Sequence, residues 1–216
     1  MKTVIGVLLN FKDIWDRYES RMHQEPHNHP PRFPVLFIKP CNTWRNPGDP
    51  IILPNGVDEI EVGGTLGIVI GKTASHIQEV DAYAYIKGYL IANDVTIPHE
   101  SILRPPIKQK CQDSFCPMST VTLSPDVEYG GVFNIGIFVN DELKLKASTA
   151  SLVRSIPKLL ADISEYMTLK EDDVVLIGTP DGVPMAKKGD KVTVEIDCLG
   201  TSLGRLTNFI ESEVSI

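Results

Sequence analysis

Short runs of β-branched and other apolar residues alternate with glycine and proline along most of the 216-residue chain. Residues 3–9, 35–38 and 66–70 are such runs, and each is about as long as a single β-strand. The 16 glycines and 16 prolines fall between them, where they favour turns and interrupt helices. The pattern predicts many short strands connected by turns rather than a helical bundle.

Helical periodicity is confined to a few segments. Residues 13–22 place Ile14, Tyr18 and Met22 on one face of a short amphipathic helix. Residues 148–166 repeat this pattern, and Pro157 marks a break or a new first turn within them. A third apolar stripe, in residues 79–90, is typical of a helix that packs on the core.

Residues 23–34 combine three histidines with four prolines. The imidazoles of His23, His27 and His29 are potential metal ligands, but prolines prevent a regular scaffold from holding them in place. We therefore expect this segment to be a mobile loop or lid.

Composition excludes several classes of function. The net charge of -7 gives no electrostatic footprint for nucleic acid or an anionic membrane, and no apolar run approaches the length that crosses a bilayer. The four cysteines form no C-x-x-C pair and follow no signal sequence. We expect reduced thiols and a cytoplasmic protein.

Three carboxylates are the candidate metal ligands. Glu59 and Glu61 are two residues apart, so they share one face of a strand, and Asp94 follows on a later strand. Three converging oxygen ligands suit a hard divalent cation. The alternative is that the two glutamates form the solvated face of a strand while Asp94 caps a turn.

Other candidate residues lie in polar loops that follow apolar runs. Lys39 and Asn42 come directly after residues 35–38, a usual place for a binding site. Lys110 and Asp113 are three residues apart, which would set an ammonium beside a carboxylate either in a cleft or in a surface salt bridge. Thr179 lies in a glycine-bounded turn whose hydroxyl and backbone amides would cradle a carboxylate.

Five segments together resemble the fumarylacetoacetate hydrolase family. They occur in the family's order and cover nearly the whole chain: FIKPCNT at 37–43, LGIVIGK at 66–72, GYLIAND at 88–94, KCQDSFCP at 110–117 and GTPDGV at 178–183. The resemblance implies one domain over residues 1–216, with 1–50 as a lid and entry region and 51–216 as the core. It also implies a mixed, mostly β fold: a rolled β-sheet with a few helices, usually in a dimer.

The resemblance further implies a chemistry. Members of the family hold Mg²⁺ or Mn²⁺ through three carboxylates, and the cation chelates a 2-oxo acid so that an enolate can form. By this analogy Asp94 would contact the cation and Lys110 would neutralise a substrate carboxylate or the enolate. Asp113 would orient Lys110. Lys39, Asn42 and Thr179 would complete the polar lining and bind the substrate.

The sequence departs from the family at two places. The register of the family's carboxylate pair falls on Gly63 and Thr65, whereas Glu59 and Glu61 lie four residues earlier, about 13 Å along an extended strand. Only a bulge or a refolded loop would bring them back. Ile14 and Arg17 occupy the positions of a proton-transferring His/Glu pair, and neither is a good general base.

Within the family, the motifs are most similar to the amino-terminal half of two-part isomerase/decarboxylases. This similarity implies decarboxylation of 5-oxopent-3-ene-1,2,5-tricarboxylate and isomerisation of 2-hydroxyhepta-2,4-diene-1,7-dioate in 4-hydroxyphenylacetate catabolism. The substrate would be a small dicarboxylic or tricarboxylic oxo acid, and the chain would form a homodimer or a heterodimer with a homologous chain. The alternatives are an impaired structural subunit that pairs with a metal-binding homologue, and an acylpyruvate hydrolase or tautomerase.

Overall fold

The computed structural model describes residues 3–99, 105–122 and 131–213. Strands make up most of the regular structure in these ranges, as the sequence predicts. In chain order they are β1 (Val4–Leu8), β2 (Val35–Lys39), β3 (Trp44–Arg45), β4 (Ile51–Leu53), β5 (Glu59–Ile70), β6 (Ile86–Thr96), β7 (Cys116–Pro117), β8 (Phe133–Val139), β9 (Glu142–Ser148), β10 (Val174–Leu176), β11 (Met185–Lys187), β12 (Lys191–Cys198) and β13 (Thr201–Ser212).

The first sheet is built around the long antiparallel pair β5 and β6. Its order is β11-β5-β10-β1-β2, and β6 pairs with β5 outside this path. The register of β5 and β6 places Glu61 opposite Thr96 and Gly63 opposite Asp94, and its only shift lies between Val69 and Ile70. The polar ends of the two strands are therefore fixed relative to each other by an unbroken ladder of backbone hydrogen bonds.

The second sheet, with the order β4-β13-β12-β8-β9, packs against the first. The two sheets approach closely at Gly64 of β5, where an added Cβ atom would lie 2.8 Å from Val194 and 2.9 Å from Ile137. Their apolar residues form one continuous core. A hairpin turn at Asn140 and Asp141 connects β8 to β9, and both residues have the positive φ values, 52° and 66°, that a two-residue turn of this hand requires.

Three α-helices are present in the described ranges: α1 (Lys12–Met22), α2 (Ile107–Lys110) and α3 (Ile156–Ser164). The prediction of a helix at 13–22 is confirmed. The helix predicted at 148–166 is shorter, because Ser155 caps α3 by accepting a hydrogen bond from the Lys158 amide and Pro157 lies in its first turn. No described helix has the length and apolar character needed to span a membrane.

The amphipathic helix predicted over residues 79–90 is wrong. A 3₁₀ helix covers only Glu79–Tyr85, and the chain then enters strand β6. Val80, an apolar residue within that range, is 87% exposed. Pairing of β6 with the buried strand β5 outweighs the local helical periodicity, since long strands gain their stability from neighbours that a sequence window does not contain.

The amino-terminal 50 residues contribute to both the sheet and the cleft. Strands β1 and β2 pair with each other in the first sheet, and β1 also pairs in parallel with β10. Residues 23–34 form turns and bends between α1 and β2. The role of this segment as a lid stays a prediction.

Candidate active site

Three charged side chains meet beside the end of strand β6. Asp94 is 4% exposed, and its Oδ2 atom accepts a 2.7 Å hydrogen bond from Lys110 Nζ. Its other oxygen, Oδ1, lies 2.8 Å from Lys39 Nζ. One buried carboxylate is therefore shared by two ammonium groups.

Lys39 is fully buried within this cluster. Its Nζ atom donates to the backbone oxygens of Val95 at 2.8 Å, Lys110 at 2.7 Å and Phe115 at 2.8 Å. Because an ammonium has three hydrogens, these bonds use all of its donors, and its contact with Asp94 is an ion pair without a hydrogen bond. Lys39 therefore holds three segments of backbone together, and the substrate-binding role predicted for it does not fit its position.

The charge of Asp94 is already balanced by its neighbours. Burial raises the pKa of this carboxyl group, but the nearby charges of Lys110 and Lys39 outweigh burial, so the pKa of Asp94 lies below its ordinary value. The group is thus an ionised carboxylate whose two oxygens both face an ammonium. A divalent cation would have to displace at least one of them.

The two positions that correspond to the family's carboxylate pair offer no ligand to a cation. A Cβ atom on Gly63 would lie 2.7 Å from Thr179 Cγ2 and 2.9 Å from the backbone oxygen of Asp94. The buried Thr65 hydroxyl donates a 2.7 Å hydrogen bond to the Gly178 backbone oxygen. Neither residue supplies a carboxylate, so the two positions do not fit Mg²⁺ or Mn²⁺, hard cations that bind through carboxylate and other oxygen ligands.

The predicted convergence of Glu59, Glu61 and Asp94 is absent. Strand β5 runs from Glu61 to Val69 without a bulge, so the two glutamates keep their distance along the strand from the Gly63 position. Glu59 is exposed at the beginning of β5. Within residues 3–99, 105–122 and 131–213, no three His, Cys, Asp or Glu side chains are grouped to hold a metal ion.

A cleft of about 460 Å³ opens beside this cluster. Its wall includes residues of β1 and α1, three histidines (His27, His29 and His99) and the turn that contains Thr179. Lys110 and Glu61 contribute its charged floor, together with Thr96. A concave site with a few converging polar groups is the usual form of a small-molecule site.

Lys110 is held in the floor of this cleft by two hydrogen bonds. Its Nζ atom donates to Asp94 Oδ2 and, also at 2.7 Å, to Thr96 Oγ1. The ammonium also lies 4.7 Å from the centre of the Phe37 ring. Sequence reasoning missed Thr96, although its position two residues after Asp94 puts both side chains on one face of β6.

Glu61 lies on the same face of the sheet, opposite Thr96. Burial raises its pKa, and the positive charges of Lys110 and His99 oppose this effect without cancelling it. The side chain therefore takes up a proton more readily than an exposed glutamate does. Glu61 is therefore an acidic side chain of the cleft wall and not one of three converging metal ligands.

Asp113 does not orient Lys110. It is exposed and accepts a 2.7 Å hydrogen bond from Asn42 Nδ2, which also donates to the Cys111 backbone oxygen at 3.0 Å. Neither residue lines the cleft. Asp94 and Thr96 take the orienting role that was expected of Asp113, whereas Asn42 and Asp113 fix the neighbouring loop.

The rim of the cleft joins α1 to the turn at Thr179. Arg17 Nη1 lies 2.5 Å from Asp181 Oδ1, and the Asp181 amide donates to Asp13 at 3.2 Å. Ile14 also faces the cleft. Ile14 and Arg17 thus lie where the family has its proton-transferring pair. Ile14 is apolar, and the Arg17 guanidinium is already paired with Asp181.

The chain matches known proteins over almost its whole length. Residues 3–211 match the family model described as fumarylacetoacetate (FAA) hydrolase C-terminal. The chain is 40% identical over 195 residues to the 4-hydroxyphenylacetate degradation bifunctional isomerase/decarboxylase of Escherichia coli. This match covers 89% of this chain and 44% of that protein. It is 34% identical to the mitochondrial oxaloacetate tautomerase FAHD2 of Oryza sativa subsp. japonica, with 80% of each chain covered. The chain thus spans less than half the length of the bifunctional relative.

Solved structures share the fold. The 5-carboxymethyl-2-hydroxymuconate delta-isomerase from Mycobacterium smegmatis has a TM-score of 0.80 and 29% identity, covering 98% of this chain and 77% of that one. The maleylpyruvate hydrolase from Sphingobium sp. SYK-6, solved with manganese(II) and pyruvate, has a TM-score of 0.78 and 26% identity, covering 98% and 71%. These matches confirm the mostly β fold expected from the sequence. The chain belongs to the fumarylacetoacetate hydrolase family.

Proposed function

We propose that this chain is a subunit or domain of an isomerase/decarboxylase that acts on unsaturated oxo acids in 4-hydroxyphenylacetate breakdown. The observation that carries the proposal is the buried ammonium of Lys110 at the cleft, in a chain 40% identical to a bifunctional isomerase/decarboxylase. The substrates proposed are 5-oxopent-3-ene-1,2,5-tricarboxylate and 2-hydroxyhepta-2,4-diene-1,7-dioate.

The proposed steps share one requirement. Loss of carbon dioxide and transfer of a proton both pass through an anionic dienolate, and a fixed positive charge stabilises such an anion. In this chain Lys110 would supply that charge, and the Thr179 hydroxyl would bind a carboxylate oxygen. We assign no role in substrate contact to Lys39, Asn42 or Asp113.

A divalent cation, where the family's chemistry uses one, would be held by a homologous chain. The donor set here supports this division, because Asp94 is engaged by two lysines and positions 63 and 65 carry glycine and threonine. The proposed assembly is therefore a heterodimer, or a longer chain with a second homologous domain. The four free cysteines, all in described residues, are consistent with the cytoplasmic location that we propose.

The test uses this chain with a homologue that has carboxylates at the positions equivalent to Gly63 and Thr65. Decarboxylation and isomerisation are measured for the assembly with wild-type Lys110 and with Lys110→Met. We expect the variant to lose about tenfold or more of kcat/KM, since a charged hydrogen bond contributes about 1.5 to 3 kcal/mol. Unchanged turnover would instead make this chain a purely structural subunit.

A second candidate is a tautomerase or hydrolase of a small acylpyruvate. It is favoured by the oxaloacetate tautomerase relative, because 80% of each chain is covered in that match. Purified chain alone would then accelerate the loss of the enol form of oxaloacetate or the hydrolysis of an acylpyruvate. Absence of both activities in the chain alone, with turnover in the assembly, would reject this candidate.

A further inference from the structure

We propose that the cleft of this chain binds the anion of a small 2-oxo acid without any divalent cation, with the Lys110 ammonium in the place of the metal. The inference deepens the proposed function and rests on it only for the class of substrate. It follows from the arrangement of charge, from the unused hydrogen-bond donors and from the steric closure of the Gly63 position to a carboxylate side chain.

The cluster of Lys39, Lys110 and Asp94 carries one net positive charge when all three groups are ionised, and Glu61 is a further acidic side chain of the cleft. Lys39 and Lys110 share the single carboxylate of Asp94, at 2.8 and 2.7 Å. Lys39 is shielded by three backbone oxygens and is fully buried, so the remaining charge is presented through Lys110. A charge held in such a poorly solvated place favours the entry of an anion.

Two donors at the cleft have no acceptor among the described residues. Lys110 uses two of its three hydrogens, on Asp94 and Thr96, which leaves one. The Thr179 hydroxyl, half-buried in the cleft wall, also donates to no side chain or backbone group in the described ranges. One oxygen-rich anion could accept both bonds, as a carboxylate or an enolate does.

The Gly63 position, where the family carries a carboxylate, is closed to a side chain. The Thr179 methyl group and the Asp94 backbone oxygen leave no room for a side chain at Gly63. Glu61, the nearest remaining glutamate on that face, lies opposite Thr96 and two residue pairs beyond the pair of Gly63 and Asp94. Lys110 is 6% exposed and lines the cleft, so an anion that enters the cleft meets its ammonium group.

The decisive experiment is calorimetric titration of metal-stripped protein, in excess EDTA, with oxalate and with pyruvate. Oxalate is a planar analogue of an enolate, and pyruvate is the simplest 2-oxo acid. We expect saturable one-site binding of both. Lys110→Met should weaken it by about tenfold or more, and Thr179→Val by a smaller factor, about threefold to tenfold. Lys87→Met is the matched control, because Lys87 is also a lysine paired with an aspartate, Asp172, but is exposed.

A second arm omits EDTA and adds Mn²⁺ to the pyruvate titration, since oxalate itself chelates the cation. Affinity that does not change with Mn²⁺ supports the inference. Binding that appears only with Mn²⁺, or a folded Lys110→Met variant that binds as tightly as the wild type, would overturn it. If Lys110→Met does not fold, Thr179→Val decides, because unchanged affinity in that variant also overturns the inference.

Turnover in the assembly with the metal-binding homologue separates this inference from the proposed function. Metal-independent binding without isomerase or decarboxylase turnover would reject the proposed function and retain the binding site. Turnover that depends on Lys110, combined with binding that requires Mn²⁺, would reject the inference alone.

Discussion

Gly63 and Asp94 face each other across strands β5 and β6, and a Cβ atom on Gly63 would lie 2.9 Å from the Asp94 backbone oxygen. This distance is shorter than a Cβ atom tolerates, and the neighbour is backbone that cannot rotate away. The close packing around Asp94 therefore requires a glycine at position 63. The same close contact explains why β5 cannot carry a carboxylate side chain at that position without a shift in the sheet.

We predict that Gly63→Ala lowers the free energy of unfolding by about 1 to 3 kcal/mol, the usual cost of overpacking a core. Chemical denaturation followed by circular dichroism measures the change. Gly136→Ala is the control, because the atoms nearest to its Cβ belong to the Phe138 ring, at 3.1 Å, and to Leu143, and side chains can adjust. Equal stability of Gly63→Ala and the wild type would contradict the packing described here.

Removing the charge of Asp94 should be more damaging. Asp94→Asn leaves Lys39 and Lys110 buried without their shared counter-charge, so we expect a loss of about 3 to 5 kcal/mol in the free energy of unfolding. Asp172→Asn, which breaks the exposed ion pair with Lys87, should cost less than about 1 kcal/mol. Similar losses in the two variants would show that Asp94 does not compensate the buried lysines.

The depressed pKa of Asp94 gives a pH dependence of known sign. A carboxyl group whose pKa is lower in the folded state stabilises the fold above its unfolded pKa, ordinarily 3.8, and this contribution is lost as the pH falls through the folded value. The wild-type free energy of unfolding should therefore fall as the pH is lowered below the unfolded-state pKa of 3.8. Asp94→Asn should show a shallower acid dependence, and parallel curves for the two proteins would contradict the assignment.

The sequence motifs located Lys110 and Thr179 in the cleft, because both lie in short segments whose order the family resemblance identifies. They could not show that Lys39 is buried, since a lysine that follows an apolar strand has the same local pattern whether it faces solvent or three backbone oxygens. The sequence spacing also paired Lys110 with Asp113, and this pairing is wrong. Asp113 is exposed and bonds to Asn42, next to Ser114, whose positive φ of 71° turns the chain. A sequence window does not show such a turn.

The register between β5 and β6 was the other missing information. The pairing of Glu61 with Thr96 decides which acidic side chain lies near Lys110, and it depends on two strands separated by a 3₁₀ helix. A one-residue shift of either strand would turn these side chains to opposite faces. The sequence predicted the strands but not this alignment.

The cysteines should differ sharply in reactivity. Burial raises the pKa of the Cys116 thiol to about 12, so almost no thiolate forms near neutral pH. Cys41 is exposed, whereas Cys198 is buried. Titration of the native protein with a disulfide reagent should modify Cys41 first, and Cys41→Ser should remove the fast phase. Rapid modification of Cys116 in folded protein would contradict the burial described here.

In this chain the ammonium groups of Lys39 and Lys110, rather than a divalent cation, neutralise the Asp94 carboxylate. Calorimetric titration of Mn²⁺ into metal-stripped protein, with Asp94→Ala as the control, tests it most directly. We predict no specific binding in the micromolar range for either protein, because Lys39 and Lys110 occupy both oxygens of Asp94. Micromolar one-site binding to the wild type that disappears in Asp94→Ala would contradict the claim.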